Sequence, residues 1–404
     1  MEARSDVIIL GAGLVGCALA VALAHNGISS ALVDPAPLDA VRDLRADGRA
    51  TAVASSSWRL MEAIGVAPRL LPHANPIERI EVGEQGVRNL LAFQPDLEND
   101  GPLGQMVENR IMRVALREAA AEAEGVTLFT PARPVAVERD AAGVRVTLDT
   151  GQHLSGALLI GAEGRASPTR EQAGIPVARW RYDHRGMIGM LDHEQHHRNT
   201  AHELFYPAGP FALLPMRGGH RSALVWTVEE RDADALLSLS PRAFVAEAEK
   251  RLDGLLGRIT LASPLSSYPL GYHRTAQLTA ERLALVGDAG HGIHPIAGQG
   301  VNLGFRDVAA LAEVLVEGAR LGLDLGDATL LARYDRWRGL DSFMVAAATD
   351  GFVRLFGIGG SAASRVRRLG VRMVERISPL KDFFMAEARG ETGALPRLLQ
   401  GQPL

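Results

Sequence analysis

The chain alternates short, uniformly apolar runs with longer amphipathic stretches, and this pattern predicts an α/β protein. Residues 7–10 (VIIL), 30–33 (SALV) and 283–286 (LALV) are the apolar runs. Strands that are buried on both faces, as in a parallel sheet, have this composition. Segments 106–124 and 301–315 instead repeat their apolar side chains with a helical period, so we predict a helix in each.

Elsewhere polar and apolar positions alternate, which predicts strands with one covered face. Residues 126–160 contain four such strands, VTLF, VAVER, VRVTL and ALLIGA, and we expect them to form a meander. Residues 181–271 contain MIGML, ELFYP, FALLPM and SALVWTV, which predict a second sheet. A helix then begins with Ser240 as its N-cap and Pro241 at its first position.

Three glycines directly after the first apolar run fit the turn of a dinucleotide-binding βαβ unit. Gly11, Gly13 and Gly16 form GxGxxG, and Asp34 ends the second run at about the usual distance of roughly 20 residues. Such an acid binds the adenosine ribose. Residues 7–24 also resemble a signal peptide that ends in ALA, but the glycine spacing favours the βαβ unit.

A second candidate ligand site lies in residues 282–307, which join an apolar run, an acid, a glycine-rich loop and the start of a helix. Asp288 follows the run at the sheet edge where α/β proteins bind ligands, and it can accept hydrogen bonds from ribose or ribityl hydroxyls. Gly298 lets the main chain approach a flat ligand. The N–H groups that begin the helix favour an anion. They belong to Gly300, Val301 and Asn302. An ordinary strand, loop and helix without a ligand is the alternative.

Isolated polar residues are further candidates. Arg49 lies in a glycine-containing loop, where it could reach a phosphate or a flavin edge, and a surface arginine is equally compatible. Asn109 stands near the start of the 106–124 helix and faces a ligand or caps the helix. Glu163 occupies a strand-to-loop corner, and Arg170 follows it with a phosphate or a carboxylate as a potential partner.

The strand FALLP supplies candidates for an apolar substrate pocket, namely Phe211 and Leu213, although plain sheet core is an equal alternative. Pro295 in the glycine-rich loop is a third pocket candidate. Four histidines lie between two strand patterns, where we expect a solvated hairpin tip and no metal site. They are His193, His196, His197 and His202.

Composition narrows the function classes. A net charge of −4 and a pI near 6.3 argue against general nucleic-acid binding. Cys17 is the only cysteine, so no internal disulfide is possible, and a reducing compartment such as the cytoplasm fits. No run approaches the roughly 20 apolar residues of a membrane span. The basic segment 365–381 is compatible with a helix on an anionic membrane surface or with an ordinary solvated helix face.

These stretches together resemble the FAD-dependent monooxygenases related to para-hydroxybenzoate hydroxylase, and most closely the ubiquinone-biosynthesis hydroxylases. The resemblance spans nearly the whole chain, and its most specific stretch is GDAGHGIHPIAGQGVNLGFRD. The supporting stretches are GAGLVG, DGRATAVASSS, VENRIMRVAL, HHRNTAHELFYPAGPFALLPM and DGFVRLFG…PLKDFFM.

The resemblance implies FAD as the cofactor. The residues at the family's FAD-contacting positions are Gly11, Gly13, Gly16, Asp34, Arg49, Asn109, Asp288 and Gly300. Two positions depart from the family pattern, because the usual Glu at the ribose is Asp34 and the usual Asp-Gly pair is Glu163-Gly164. Both departures keep the charge and change the reach by one methylene.

The resemblance also implies the reaction: hydroxylation of a polyprenyl phenol or benzoquinol of ubiquinone biosynthesis by O2 through a flavin C4a-hydroperoxide. Only one GxGxxG occurs, so NAD(P)H, the implied electron donor, would dock transiently at the flavin. No catalytic side chain is predicted. We expect a cytoplasmic protein with peripheral contact to the inner membrane face, a biosynthetic complex and a homo-oligomer. The alternatives are another aromatic or isoprenoid substrate, or a non-catalytic flavoprotein scaffold.

The expected architecture is therefore α/β, with a Rossmann-like FAD-binding domain, a β-sheet substrate domain and a helical C-terminal region. A chain of 404 residues is long enough for two cores and an appendage. The FAD-binding domain is expected to take residues 1–75, 105–180 and 272–330. The substrate domain is expected to take 76–104 and 181–271, and the helical region 331–404.

Overall fold

The structure is a computed structural model, and it describes residues 2–37, 48–85, 87–292, 299–339 and 378–404. Two predicted site residues, Gly298 and Pro295, lie outside the described residues, as does most of the basic segment 365–381. Strands and helices are numbered below in chain order.

A six-stranded sheet forms the centre of the nucleotide-binding part. In spatial order its strands are β20 (Thr279–Ala280), β21 (Leu283–Leu285), β13 (Leu158–Gly161), β2 (Val7–Leu10), β3 (Ser30–Val33) and β9 (Val126–Phe129). All neighbours are parallel except β20 and β21. Every residue of β2, β3, β13 and β21 is buried, which explains why these runs are apolar without alternation.

Helices cover one face of this sheet. They are α1 (Leu14–Ala24), α4 (Asn109–Glu122) and α8 (Gln299–Arg320), and they pack together with Val7, Ile9 and Leu32 in one core. Residues 7–24 therefore form a strand and a helix, as the glycine spacing predicted. Cys17 is a buried core residue of α1.

A four-stranded sheet covers the opposite face and buries Ile8 and Leu10. Its strands in spatial order are β1 (Glu2–Arg4), β12 (His153–Gly156), β11 (Gly143–Leu148) and β10 (Pro134–Asp140). The prediction that residues 126–160 form a single meander was therefore partly wrong. VTLF and ALLIGA supply β9 and β13 of the parallel sheet, because their side chains are needed between two layers.

The second large sheet has nine strands and is mostly antiparallel. In spatial order they are β22 (His291–Gly292), β19 (Ser266–Thr275), β14 (Val177–His193), β17 (Arg221–Glu229), β16 (Gly209–Met216), β15 (Thr200–Tyr206), β6 (Arg79–Glu84) and β7 (Val87–Phe93), with β18 (Ile259–Leu261) paired to β14. Segments 76–104 and 181–271, which we assigned to one domain, thus supply strands to one sheet, and the domain boundaries themselves stay a prediction.

The two faces of the nine-stranded sheet have different partners. Helices α6 (Glu230–Leu237) and α7 (Pro241–Leu252) pack on one face, where Phe244 contacts the sheet core. Ser240 Oγ accepts a hydrogen bond from Ala243 N, which confirms the predicted N-cap of α7. The other face meets a three-stranded sheet. Its strands in spatial order are β4 (Ala50–Ala54), β8 (Gly104–Glu108) and β5 (Asn75–Ile77).

The remaining α-helices of the described ranges are α2 (Ser55–Ala63), α3 (Ala67–Leu70), α5 (Pro168–Gln172), α9 (residues 328–339) and α10 (Ser378–Ala388). The C-terminal residues dock on the nucleotide-binding part, where Arg59 donates to Leu399 O and Arg306 donates to Gly390 O. Among the helices of the described ranges, none has the length and apolarity that crossing a membrane requires.

Candidate active site

The glycine turn after β2 is closely packed at two of its three glycines. A Cβ on Gly16 would lie 1.9 Å from Gly11 O, and one on Gly11 would lie 2.4 Å from Ala162 O. Gly11 also has φ of +106°, which L side chains rarely adopt. A Cβ on Gly13 would meet nothing within 4 Å. The first and third glycines thus serve packing, and the second leaves an open approach at the start of α1, where an anion is favoured.

Asp34 lies at the end of β3 beside this turn. Its carboxylate accepts hydrogen bonds from Ala12 N at 2.7 Å and from Ala36 N at 2.8 Å, and it pairs with Arg117 at 3.0 Å. A carboxylate has about four acceptor sites, so one remains for a ribose hydroxyl. Contact of Asp34 with the ribose stays a prediction.

Arg117 was not selected from the sequence. It lies on α4, is buried, and also donates to Ala12 O at 3.0 Å. Arg117 therefore joins the glycine turn to Asp34. The available signal was a charged residue next to Leu116 on the apolar face of a predicted helix.

A cleft of about 540 Å³ lies between the nucleotide-binding part and the nine-stranded sheet. Polar and main-chain groups form the side nearest the FAD-binding elements: Arg49, Thr51, Asn109, Asp288, Gly300 and Val301. Mostly apolar residues of the large sheet form the other side: Ile188, Ala212, Leu214, Ala223 and Val225. The structure thus brings five of the predicted cofactor residues to one cavity.

Arg49 and Asn109 are linked through the backbone, because Asn109 N donates to Arg49 O at 3.0 Å. Thr51 Oγ1 donates to Asn109 Oδ1 at 2.6 Å. The helix α4 begins at Asn109, and the preceding residues 106–108, which we included in the helix, belong to strand β8. Its N-cap is Glu108, so the Asn109 side chain holds β4 and does not cap the helix.

Asp288 lies in the 3-10 turn Gly287–Ala289 that follows β21. Its side chain is 47% exposed because it faces the open cleft, and the Arg165 side chain lies 4.0 Å away. The surrounding cleft atoms remove part of the solvation of this carboxylate, which raises the pKa of Asp288, and the positive charge of Arg165 opposes that rise. The cleft therefore holds a carboxylate that can accept hydrogen bonds from ligand hydroxyls.

A buried cluster of an aspartate, a histidine and an arginine stabilises the turn that contains Asp288. Asp307 of α8 accepts hydrogen bonds from Gly287 N at 2.8 Å, from His291 Nε2 at 2.6 Å and from Arg338 Nε at 2.7 Å. Burial raises the pKa of Asp307, but the charges and hydrogen bonds of its two side-chain partners outweigh it and hold the pKa below the usual value. His291 is thus a structural partner. The sequence reasoning missed Asp307, although it ends the most specific stretch.

Arg170 and Glu163 also have structural roles. Arg170 is fully buried and donates to Ala289 O at 2.9 Å and to Arg165 O at 3.1 Å. Its hydrogen bonds thus go to two main-chain carbonyls, and Glu171 supplies a carboxylate partner, with its Oε1 at 3.8 Å from Arg170 Nη2. Glu163 accepts a hydrogen bond from Ser167 Oγ at 2.7 Å at the start of α5.

The start of α8 reaches the cleft. A Cβ on Gly300 would meet nothing within 4 Å, so the main chain is open to a flat ligand at this point, and Val301 lines the same cavity. The Asn302 side chain binds the backbone of β4. It accepts a hydrogen bond from Ala54 N at 2.9 Å and donates one to Ala52 O at 2.8 Å. The predicted contribution of Asn302 is thereby restricted to its main-chain N–H.

The structure corrects the predicted substrate pocket. Phe211 and Leu213 are buried on the face of β16 that packs against α7, where the Phe211 ring lies 5.5 Å from the Trp226 ring. Their neighbours Ala212 and Leu214 line the cleft. Successive side chains of a strand point to opposite faces, so Phe211 and Leu213 share the core face while Ala212 and Leu214 share the cleft face. The alternative of sheet core holds for Phe211 and Leu213.

Of the four histidines predicted to form a solvated hairpin tip, only His196 is exposed. His193, His197 and His202 are buried. His193 Nε2 lies 3.0 Å from Ser222 Oγ, and His197 Nε2 lies 2.7 Å from Met216 O. The segment is rich in polar residues, but its buried histidines are hydrogen-bonded within the protein and do not face solvent. Within the described ranges, no group of three or more His, Cys, Asp or Glu residues is arranged to hold a metal ion.

Comparison with known proteins decides the family. A family model for an FAD-binding domain matches residues 4–340. The chain belongs to this FAD-binding family. Over 99% of its length, the chain is 43% identical to ubiquinone hydroxylase UbiL of Rhodospirillum rubrum, and the match covers 94% of that protein. It is 33% identical over 96% of the chain to 3-demethoxyubiquinol 3-hydroxylase of Escherichia coli, covering 98% of it.

Solved structures of FAD-dependent monooxygenases share the fold. PqsL of Pseudomonas aeruginosa, a probable FAD-dependent monooxygenase, matches with a TM-score of 0.76 at 24% identity, over 91% of this chain and 99% of PqsL. The p-nitrophenol 4-monooxygenase PnpA of Pseudomonas putida matches with a TM-score of 0.80 at 14% identity, over 98% of this chain and all of PnpA. The α/β fold class is thereby confirmed.

The protein is an FAD-dependent hydroxylase, and its residues at the two predicted ends of the site leave space and acceptor groups for FAD. Gly13 and Gly300 each leave open the space that a Cβ would fill, one at the start of α1 and one at the start of α8. Asp34 retains acceptor capacity at the nucleotide end, and Asp288 faces the cleft at the other end. The individual contacts of these residues with FAD stay a prediction.

Proposed function

We propose that this enzyme hydroxylates the ring of a prenylated phenol or benzoquinol in ubiquinone biosynthesis. The observation that carries the proposal is the cleft, which has polar residues on the FAD side and an apolar sheet face on the other side. The curated relatives include a ubiquinone hydroxylase at 43% identity and a 3-demethoxyubiquinol 3-hydroxylase at 33% identity. An aromatic ring with an apolar tail fits a cleft of this composition.

The protein's own contribution is to bind, orient and exclude water. Bound FAD supplies the redox chemistry by which one oxygen atom of O2 reaches the substrate ring. Arg49, Asp288 and the main-chain N–H groups near Gly300 would hold the flavin edge. The apolar side chains of Ala212 and Leu214 would cover the substrate and exclude water, which would limit side reactions.

The proposal includes NAD(P)H as the electron donor, docking transiently at the flavin. It also includes peripheral contact with the inner membrane face, because a polyprenyl substrate partitions into lipid. The basic segment 365–381, which motivates that contact, lies mostly outside the described residues. Membership of a biosynthetic complex and a homo-oligomeric state are further parts of the proposal.

Oxygen labelling tests the reaction. The FAD-loaded enzyme is supplied with NADH or NADPH, ¹⁸O2 and 2-prenylphenol, and the product is analysed by mass spectrometry. We expect one labelled oxygen atom in the product ring. We also expect a kcat/KM at least roughly tenfold above that for unsubstituted phenol, because burial of a prenyl group contributes more than the 1.4 kcal/mol of a tenfold change.

The alternatives give different results. A product without the label excludes hydroxylation and favours reduction of the prenyl group or another reaction. Equal kcat/KM for tailed and unsubstituted phenols favours a small soluble aromatic substrate. Bound FAD without NAD(P)H oxidation in the presence of any phenol favours a scaffold.

A further inference from the structure

Glu203 is a carboxylate on the apolar side of the cleft. It lies in β15, where it is paired in register with Ala212 of β16 and with Val82 of β6. Its neighbours Ala201 and Phe205 on the same face of the strand belong to the buried core between the two sheets. Glu203 itself lines the cleft. The small side chain of Ala212 leaves room beside the carboxylate.

The other charged groups of this strand pair have partners. His202, the preceding residue, points to the opposite face and lies 3.4 Å from Glu81. Glu203 has no hydrogen bond or ion pair with any residue in the described part of the chain. A carboxylate without a partner on an apolar face is costly, and a residue that would stabilise the fold alone would be apolar here. Glu203 is half-buried and lines the cleft, so water or the hydroxyl of a ligand in the cleft can be its partner.

Burial raises the pKa of Glu203 to about 7, and no neighbouring charge contributes to that shift. An ordinary phenol has a pKa of about 10. The raised pKa makes this carboxylate a stronger base than a solvated one, because it narrows the difference in pKa from the phenol. Near neutral pH a substantial fraction of Glu203 is ionised and able to accept a proton.

The other titratable groups of the cleft are Arg49, Arg165, Tyr268 and Asp288, and Glu84 lies on the neighbouring strand β6. None of them contributes to the shift of the Glu203 pKa. Burial raises the pKa of Tyr268, a phenol of the same cavity, and outweighs the opposing positive charges of Arg49 and Arg165. The cavity alone therefore disfavours a phenolate, so ionisation of a bound phenol requires a proton acceptor next to its oxygen.

We propose that Glu203 binds the ring hydroxyl of the aromatic substrate and accepts its proton. The substrate O–H bond breaks, its electron pair remains on the oxygen as a phenolate, and a carboxyl O–H bond forms on Glu203, so the total charge is unchanged. A phenolate ring is richer in electrons than a phenol ring and reacts more readily with an electrophilic oxygen. The assignment rests on the proposed function, because it requires a hydroxylated aromatic substrate in this cleft.

Binding spectroscopy tests the proposal without turnover. The FAD-loaded enzyme is titrated with 2-allylphenol, and the ultraviolet difference spectrum reports the hydrogen bond that the phenol donates. The matched ligand 2-allylanisole has a methyl group in place of the proton. We expect a red-shifted phenol band with the wild-type enzyme, a smaller shift in Glu203→Gln and a partial recovery in Glu203→Asp. The affinity for 2-allylanisole should change less than about threefold in Glu203→Gln if only the proton acceptor is lost.

Kinetics gives an independent readout. General acid–base catalysis contributes roughly 10²–10⁴-fold, so kcat for 2-allylphenol should fall by a factor in this range in Glu203→Gln, with a smaller change in KM. The wild-type rate should rise with pH through an apparent pKa near 7, and this limb should be absent in the variant. Glu81→Gln is the matched control, because Glu81 lies on the neighbouring strand but pairs with His202 on the opposite face.

Each of four results overturns the assignment. An unchanged shift of the phenol band in Glu203→Gln removes Glu203 as the acceptor, as does loss of the shift in Tyr268→Phe while Glu203→Gln retains it. An equal loss of affinity for 2-allylphenol and 2-allylanisole, with a lowered melting temperature, shows a purely structural role. If the wild-type enzyme binds neither ligand, the proposed function fails and the assignment fails with it.

Discussion

The two ends of the FAD site are assembled in different ways. At the nucleotide end, the three glycines and Asp34 come from one continuous βαβ unit, and the spacing along the chain sets their arrangement. The other end, where the flavin ring is predicted to bind, is called the ring end. Its cleft is lined by residues of β4, the start of α4, the turn after β21, the start of α8 and the nine-stranded sheet. The first end depends on local geometry, whereas the second depends on the register between distant strands.

The two ends are also stabilised by different kinds of contact. Close contacts of Gly11 and Gly16 with neighbouring backbone define the nucleotide end. Buried side chains hold the ring end, where Asp307 fixes the Asp288 turn and Asn302 fixes β4. A substitution at the first end should therefore act through steric overlap, and one at the second should depend on the face to which a side chain points.

The largest expected effect separates the two faces of strand β16. Phe211→Ala should lower the free energy of unfolding by about 3–5 kcal/mol, because it removes a buried ring from the core beneath α7. Ala212→Leu should change that free energy by less than about 1 kcal/mol, because the added atoms enter the cleft. It should instead weaken binding of 2-prenylphenol by roughly tenfold or more. Urea unfolding and ligand titration measure the two effects.

The reverse result would place Phe211 in the cleft. In that case Phe211→Ala would change substrate binding with little loss of stability, and Ala212→Leu would disrupt the core. The strand register described here would then be off by one residue.

A smaller effect separates two glycines of the turn. Gly16→Ala should destabilise the protein by about 1–3 kcal/mol, because its Cβ would overlap Gly11 O. Gly13→Ala should change the stability of the apoprotein by less than about 0.5 kcal/mol, because its Cβ meets no protein atom, and it should weaken FAD binding. Thermal unfolding of the apoprotein and fluorescence titration with FAD distinguish them. Unchanged FAD affinity in Gly13→Ala would move the pyrophosphate away from this position.

A further effect is a pH dependence of stability through His197, which lies between strands β14 and β15. Burial lowers the pKa of His197 to about 4, and its Nδ1 accepts a hydrogen bond from Asn199 N, so the ring is neutral in the folded state. The unfolded state binds a proton at higher pH than the folded state does. The free energy of unfolding should therefore rise from pH 4 to about 6.5 and then level off with respect to this group.

Replacement of His197 by Gln should flatten that rise, as measured by urea unfolding at a series of pH values. The exposed His153 on β12 supplies the control, because His153→Gln should leave the slope unchanged. An identical slope in wild type and His197→Gln would contradict a neutral, buried His197.

Several features followed from the sequence because they depend on short-range spacing. The turn of Gly11, Gly13 and Gly16, the apolar runs of the parallel sheet and the N-cap of α7 were predicted with correct positions. The cleft was predicted only in part. Arg49, Asn109 and Asp288 do line one cavity, but Phe211, which was proposed for the pocket because its strand is apolar, lies on the other face of β16.

Arg117, Glu203 and Asp307 were missed for a common reason. Each is a charged residue in a segment that reads as an ordinary helix or strand, and its role depends on a partner or a cavity from elsewhere in the chain. Arg117 meets Asp34 of β3, and Asp307 meets Arg338 of α9. A charge at an inward-facing position is a usable signal, but it identifies the face only when the register is known.

The sequence by itself determined the family, the FAD cofactor and the local geometry of the nucleotide end, because these depend on residue types at fixed spacing. Only the tertiary structure decided which residues of β15 and β16 face the ring end. Side chains alternate along a strand, and the layer that each face meets is set by packing between sheets that are distant in the chain. That packing places Glu203 at the cleft and Phe211 in the core.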